Sequence, residues 1–188
     1  MSSSDNILLL TGTPGIGKTT VIKKAAASLA DLNVSGFFTE EIRFHKVRQG
    51  FALVTINEKS TVMAHIDSGS DHRVGKYGVD VAAIDQAVRM TLAENSDIDL
   101  FIIDEIGKME CFSELFVEKV TALFDSGKTI VATIASTGSG FIAEMKNRPG
   151  IELWVITMEN RDEMVKRVVA WVRSKKSGMR RRVEQMVK

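Results

Sequence analysis

Eight residues, Gly12-Thr13-Pro14-Gly15-Ile16-Gly17-Lys18-Thr19, constrain this chain more than any other stretch. They fit the pattern G-x-x-x-x-G-K-S/T, and their flanks matter as much as the pattern. Ile7-Leu8-Leu9-Leu10 is a short continuous apolar run, the mark of a strand covered on both faces in a parallel sheet. Ala25, Ala26, Ala27, Leu29 and Ala30 favour helix until Asp31-Leu32-Asn33 closes it. Strand, glycine loop and helix in that order turn successive backbone N–H groups inward at the positive end of a helix dipole, which makes a cradle for phosphate oxygens.

Lys18 falls in the first helical turn, where a positive charge opposes the dipole unless an anion is present. The stretch therefore reads as a P-loop, with Gly12, Thr13, Pro14, Gly15, Ile16, Gly17, Lys18, Thr19 and Thr20 around a nucleotide's phosphates. Lys18 would reach the β and γ phosphates, and the Thr19 hydroxyl would ligate Mg2+. Downstream, Leu100-Phe101-Ile102-Ile103 is followed by Asp104-Glu105, the apolar-strand-then-carboxylate form of a Walker B motif. Neighbouring strand residues point to opposite faces, so the two carboxylates divide the work. Asp104 is expected to hold Mg2+ directly or through water, and Glu105 to accept a proton from the attacking water. A glutamate after the metal aspartate marks the ATPase branch of P-loop proteins, with one further strand between the two motifs. That strand is expected at 128–134, its tip placing Thr133, and Ser136 beyond it, between the motifs.

The rest of the chain alternates strand and helix. Helical spacing covers 81–93 and the Phe112, Leu115, Phe116, Val120, Leu123, Phe124 face, which stops at Asp125-Ser126-Gly127. Strand 151–157 precedes a long helix from Arg161. The exception is 36–67, where runs near 37–43, 50–56 and 61–66 read as a small β-hairpin-like antiparallel insertion, and 74–79 reads as a loop. The expected class is α/β, a mostly parallel central sheet with helices on both faces, binding ligand beyond the carboxyl ends of its strands. At 188 residues a single domain is expected over 1–188.

A net charge of +1 does not imply a general polyanion-binding surface, but charge is concentrated at 173–188. There Arg173, Lys175, Lys176, Arg180, Arg181, Arg182 and Lys188 against Glu184 offer a nucleic-acid or acidic-partner surface, with a solvated basic helix end as the preferred reading. Apolar runs are too short for a bilayer, Met1 to Asp5 lacks the basic start of a secretion signal, and lone Cys111 permits no disulfide. A cytoplasmic monomer is expected, with Cys111 as packing and His45, His65 and His72 lacking metal-ligand spacing.

These motifs make the chain similar to the P-loop nucleoside-triphosphatase family that includes the human cancer-related nucleoside-triphosphatase. The resemblance rests on Gly12 to Thr20, Gly36-Phe37-Phe38-Thr39-Glu40-Glu41-Ile42-Arg43, Arg48-Gln49-Gly50-Phe51, Val74 to Val79, "DEIGKME" at 104–110, and Glu159-Asn160-Arg161. It implies an ASCE-type P-loop fold and Mg2+-dependent hydrolysis of ATP, GTP and other nucleoside triphosphates to diphosphate and phosphate, with loose base preference. Family members often carry basic residues after the fourth strand, where this chain has Ala135-Ser136-Thr137-Gly138-Ser139-Gly140.

A cation on the transferring phosphoryl group is worth a large factor in rate. Lys108, just past the catalytic strand beside Gly107, is the first candidate, ahead of Arg43, Arg48, Arg148 and Arg161. Asn160 and Arg161 are expected to flank the base or ribose, or to cap the helix. The insertion and the 74–79 loop would close over the nucleotide. The competing functions are a small-molecule or polynucleotide kinase, with an acceptor hydroxyl in place of water, and a non-catalytic nucleotide switch or RNA-binding module, which Glu105 argues against.

Overall fold

In the computed structural model, which describes residues 6–93 and 95–186, with side chains through 177, one nine-stranded sheet forms the centre of the molecule. In chain order the strands are β1 (Ile7–Thr11), β2 (Val34–Phe44), β3 (Val47–Thr55), β4 (Ser60–His65), β5 (Arg73–Val74), β6 (Tyr77–Val79), β7 (Leu100–Ile106), β8 (Ile130–Ile134) and β9 (Glu152–Val155). The helices are α1 (Lys18–Ala27), α2 (Val81–Thr91), α3 (Glu114–Asp125), α4 (Phe141–Asn147) and α5 (Arg161–Met186). Across the sheet the order is β5-β6-β4-β3-β2-β7-β8-β1-β9.

Five neighbouring strands, β2, β7, β8, β1 and β9, pair in parallel, and β8 lies between β1 and β7 as the adjacent carboxylates require. These strands are apolar on both sides because both sides are covered. Leu8, Leu10, Leu100, Ile102 and Val131 pack with α1 and α5, while Ile7, Leu9, Phe101, Ile103, Ile130 and Ala132 pack on the opposite face with residues of α2, α3 and α4. Local chemistry sets the helix starts: the Asp80 carboxylate accepts from the Ala83 N–H, and the Ser113 hydroxyl accepts from Phe116 N–H.

Two expectations need correcting. The antiparallel segment extends beyond 36–67 to take in β5 and β6, and the first half of β2 belongs to the parallel core while its second half turns into the β2-β3-β4-β6-β5 ladder. The segment 74–79 is also not a lid loop. Tyr77 and Val79 are buried apolar anchors, and Val79 and Gly78 pair with Ala64 and His65, which fixes the segment into the sheet with three strands between it and β7. A loop reading undervalued two apolar residues at strand spacing.

The basic stretch from 173 begins as a continuation of α5, tied to the body of the molecule. Arg173 holds Asp31 through two hydrogen bonds of 2.9 and 3.0 Å, Lys175 pairs with Glu152 and Lys176 with Asp99, each at 3.1 Å. Arg180, Arg181, Arg182, Glu184 and Lys188 lie outside the residues whose side chains are described. Among the described residues no helix is long and apolar enough to cross a membrane.

The junction of parallel core and insertion depends on one glycine. Gly36, at φ +130° opposite Ile102, sits so close to β7 that a Cβ would stand 1.8 Å from the Ile102 carbonyl oxygen. That backbone is fixed by core packing on both sides, so Gly36→Ala is expected to destabilise the fold by about 3 kcal/mol or more. Ser35→Ala, which removes only the 2.7 Å bond to the Thr91 carbonyl, should cost about 1 kcal/mol; denaturant midpoints of the two variants check the contrast.

Candidate active site

The sheet edge at the carboxyl ends of β1, β8 and β7 gathers the glycine loop and both carboxylates. Gly15 and Gly17 take positive φ, which lets the 12–17 loop wrap back into α1, and Ile16 N–H donates to the Thr13 carbonyl at 3.2 Å. The first turn of α1 has neither a capping side chain nor an acidic residue, so its N–H groups stay available to an anion. Lys18 is only 8% exposed. Its ammonium donates to the Gly12 carbonyl at 3.3 Å and stands 3.3 Å from Glu105 Oε2, so the two motifs share one charge pair.

Asp104 is 1% exposed. The Thr133 hydroxyl at the tip of β8 donates to its Oδ1 at 2.5 Å, the Thr39 N–H donates to Oδ2 at 3.3 Å, and the Thr19 hydroxyl also bonds this carboxylate. The Thr39 hydroxyl then donates to the Asp104 carbonyl at 2.6 Å. Burial pushes the Asp104 carboxyl above its ordinary range, and the Thr133, Thr19 and Thr39 donors and the Lys18 charge pull against that. Glu105 is also raised by burial, opposed chiefly by Lys18. β7 divides at these two residues: its register with β8 shifts between Ile103 and Ile106, and the peptide between Asp104 and Glu105 is cis. The two side chains occupy different surroundings, Asp104 closed off among hydroxyls and Glu105 facing Lys18 with its side chain 30% exposed.

No group of three His, Cys, Asp or Glu residues among the described ones makes a metal cage. One buried carboxylate beside the Thr19 hydroxyl is nevertheless a hard oxygen donor set of the kind Mg2+ uses, with one or two protein ligands and the remaining positions left to water and phosphate oxygens.

The other candidates are placed less uniformly. Lys108 is exposed on the turn after β7. Arg43 and Arg48 are both held by Glu41 in the insertion, Arg148 by Asp125 at the end of α3, and Arg161 lies against Met158 and Asp162. Asn160 uses its side chain locally, accepting from Thr157 N–H and donating to the Val155 carbonyl, each at 2.9 Å, which closes the turn beside the P-loop. Cys111 is half-buried, with its thiol pushed up to about 12 by burial, as suits a packing residue.

Sequence reasoning gave no role to Thr39, Glu110 or Lys146. Thr39 is 65 positions from the aspartate it braces, and no local pattern signals such a pair. Glu110 closes "DEIGKME" as a buried residue in the short 3-10 turn at Glu110–Phe112. A Cβ at Gly107 would stand 2.8 Å from Glu110 Oε2 and 3.4 Å from Glu105 Oε1, so Gly107 is the space that two carboxyl groups share, more than a hinge for Lys108.

Residues 7–169 match the model of a family described as NTPase. The chain belongs to that NTPase family. It is 39% identical over 163 residues to nucleoside-triphosphatase THEP1 of Thermotoga petrophila, covering 86% of this chain and 90% of that one. It is 33% identical to the human cancer-related nucleoside-triphosphatase, over 89% and 96% of the two chains. Among solved structures it resembles THEP1 from Aquifex aeolicus, with a TM-score of 0.74 at 33% identity over 88% of this chain and 98% of that one. The solution structure of the human cancer-related nucleoside triphosphatase gives 0.77 at 32% identity over 90% and 98%. The NTPase family thus accounts for the α/β fold with its mixed sheet as well as for the two motifs.

Burial holds the Glu110 carboxyl up at about 8, against 4.5 when free, with the Glu105 and Asp104 charges adding to the effect. Between those values the folded NTPase keeps a proton that the unfolded chain has released, so this contribution is complete below 4.5 and is lost as pH rises towards 8. Glu110→Gln should remove this share of the decline, on the order of a few kcal/mol, and urea midpoints measured across that window for both proteins check it. A wild-type slope unchanged in the variant would contradict the placement of Glu110.

Proposed function

We propose that the chain is a Mg2+-dependent nucleoside-triphosphatase that cleaves ATP, GTP and other triphosphates to diphosphate and phosphate, using a water activated by Glu105. The observation that carries this reading is the Lys18–Glu105 contact at 3.3 Å, with Asp104 held one residue away by hydroxyls from α1 and β8. A triphosphate tail on the N–H groups of 12–19, reached by Lys18, would put its γ phosphorus in front of Glu105. Thr19 and Asp104 would hold Mg2+, which when bound neutralises charge on the β and γ oxygens.

Each residue then has a distinct task. Gly12, Thr13, Pro14, Gly15, Ile16, Gly17 and Thr20 bind phosphate or shape the loop that does, and Lys18 anchors the transferring group. Glu105, kept proton-hungry by burial, takes a proton from the water. Lys108, exposed on the turn beyond Gly107, would add charge from there. Asn160 and Arg161, on the turn next to the P-loop, would border the sugar and base, Asn160 through the turn it closes.

Phosphate release from ATP and GTP with Mg2+ and no acceptor tests this directly. Wild type should release phosphate and a chelator should abolish release. Lys18→Ala should lose both affinity and turnover, while Glu105→Gln should keep nucleotide affinity and lose turnover by about 10²–10⁴. No release until a hydroxyl acceptor is added would convert the reading to a kinase. Thr133→Val, which preserves shape but deprives Asp104 of a donor, should raise the Mg2+ concentration needed for half-maximal rate by about tenfold; an unchanged Mg2+ titration would remove Asp104 from the metal's coordination.

A further inference from the structure

The loop after β8 carries no cationic side chain, yet a cation is delivered there from elsewhere. Lys146 extends from α4 to donate to the Ser136 carbonyl at 2.8 Å, inside the loop whose strand places Thr133 on Asp104. The loop is pressed onto α4, since a Cβ at Gly138 would meet Ile142 at 2.8 Å, and Ala135 N–H donates to the Ile106 carbonyl at 3.1 Å, which ties the loop to the strand carrying Glu105. Lys146 is thus held on the loop after β8 by a single neutral carbonyl, and among the described residues no carboxylate stands in salt-bridge contact with it, unlike Arg43, Arg48, Arg148 and Arg161. The two groups also feel each other's charge: Lys146 draws the Glu105 carboxyl down, Glu105 draws the Lys146 ammonium up, and burial leaves Lys146 below its ordinary value on balance.

Resting on the hydrolytic reading above, we propose that Lys146 is a second cation of the catalytic site, turning from the Ser136 carbonyl to the γ-phosphoryl oxygens as the reaction proceeds. In that step the water oxygen bonds to the γ phosphorus while the bridge to the β phosphate breaks. The bridging electron pair leaves on the diphosphate, and the water proton passes to Glu105. Negative charge on the equatorial oxygens is then shared between Lys18, on the P-loop side, and Lys146, on the side of the attacking water. A neutral carbonyl is a weak partner for an ammonium, so releasing it costs little compared with breaking an ion pair. Lys146 would be unneeded in the ground state and engaged only as charge spreads over the oxygens of the transferring phosphoryl group, which acts on kcat in preference to KM.

The test compares wild type with Lys146→Met, which keeps the aliphatic stem, and Lys146→Arg, which keeps the charge. Steady-state phosphate release, thermal stability, and binding of Mg·ADP with and without aluminium fluoride are measured for each. The proposal expects Lys146→Met to lower kcat by about 10²-fold or more, with KM changed less than about threefold. It also expects Mg·ADP binding to be kept, the tighter binding conferred by aluminium fluoride to be lost, and Lys146→Arg to recover part of both. Unchanged kcat overturns it. So does a fall in kcat that tracks lost thermal stability while the fluoride complex survives, because a loop tether would behave in that way. If Lys108→Ala loses the fluoride complex and Lys146→Met retains it, the charge belongs to the turn lysine and the assignment is wrong. A wild-type protein that releases no phosphate defeats the hydrolytic reading itself, which is a separate failure.

Discussion

The Asp104 carboxylate is the point on which the architecture converges. A carboxylate 1% exposed is expensive unless donors replace the water it has lost. Here those donors come from three elements far apart in the chain: Thr19 on α1, Thr39 on β2 and Thr133 on β8. The strand order β2-β7-β8-β1 is what allows it, since β7 must have β2 on one side and β8 on the other, with the P-loop helix one strand further on. Parting β7 from β2 or from β8 would leave the carboxylate short of a donor. The parallel core and the charge at its edge are therefore one constraint seen at two scales, and the residual upward pull on this carboxyl is what a divalent cation would relieve.

Much of this was legible because the signals are local. A glycine loop between an apolar strand and a helix, and Asp104-Glu105 after four apolar residues, each announce themselves within a dozen positions. The intervening strand followed from the glutamate after the aspartate, which marks the ATPase branch of P-loop proteins, and Thr133 was found at its tip for that reason. What escaped is non-local or context-bound. Thr39 contacts Asp104 across 65 positions. Tyr77 and Val79 read as loop because a three-residue strand has too little periodicity to separate from a turn, and only their pairing to Ala64 and His65 makes them sheet. The basic stretch read as one block of charge, whereas Arg173 and Lys176 have acidic partners on Asp31 and Asp99, segments that sequence spacing cannot bring to α5.

Gly107 shows how a correct residue can be singled out for the wrong cause. A glycine beside a candidate catalytic lysine suggests backbone freedom, but Gly107 is not among the residues with positive φ. What it provides is volume, because Glu105 and Glu110 converge over the site a side chain would fill. The seven residues of "DEIGKME" then read as one unit. Asp104 faces the hydroxyls, Glu105 faces Lys18, Gly107 leaves room for both glutamates, and Glu110 returns beneath them on the 3-10 turn. Three carboxyl groups so close together repel, and burying Glu110 in its protonated form lessens that repulsion.

On the proposed hydrolytic reading, the Lys18–Glu105 pair would couple substrate binding to catalytic readiness. Burial raises the proton affinity of Glu105 and the Lys18 charge opposes that rise, so the glutamate paired with Lys18 is a weaker base than burial alone would make it. A triphosphate seated on the P-loop competes for the Lys18 ammonium with oxygens that carry more charge than one carboxylate, and it brings negative charge of its own towards Glu105. Both changes raise the proton affinity of Glu105. The glutamate would thus become an effective base when there is a γ phosphate for its water to attack. One lysine cannot fully serve both partners, so whatever the phosphate oxygens gain from Lys18 the carboxylate loses.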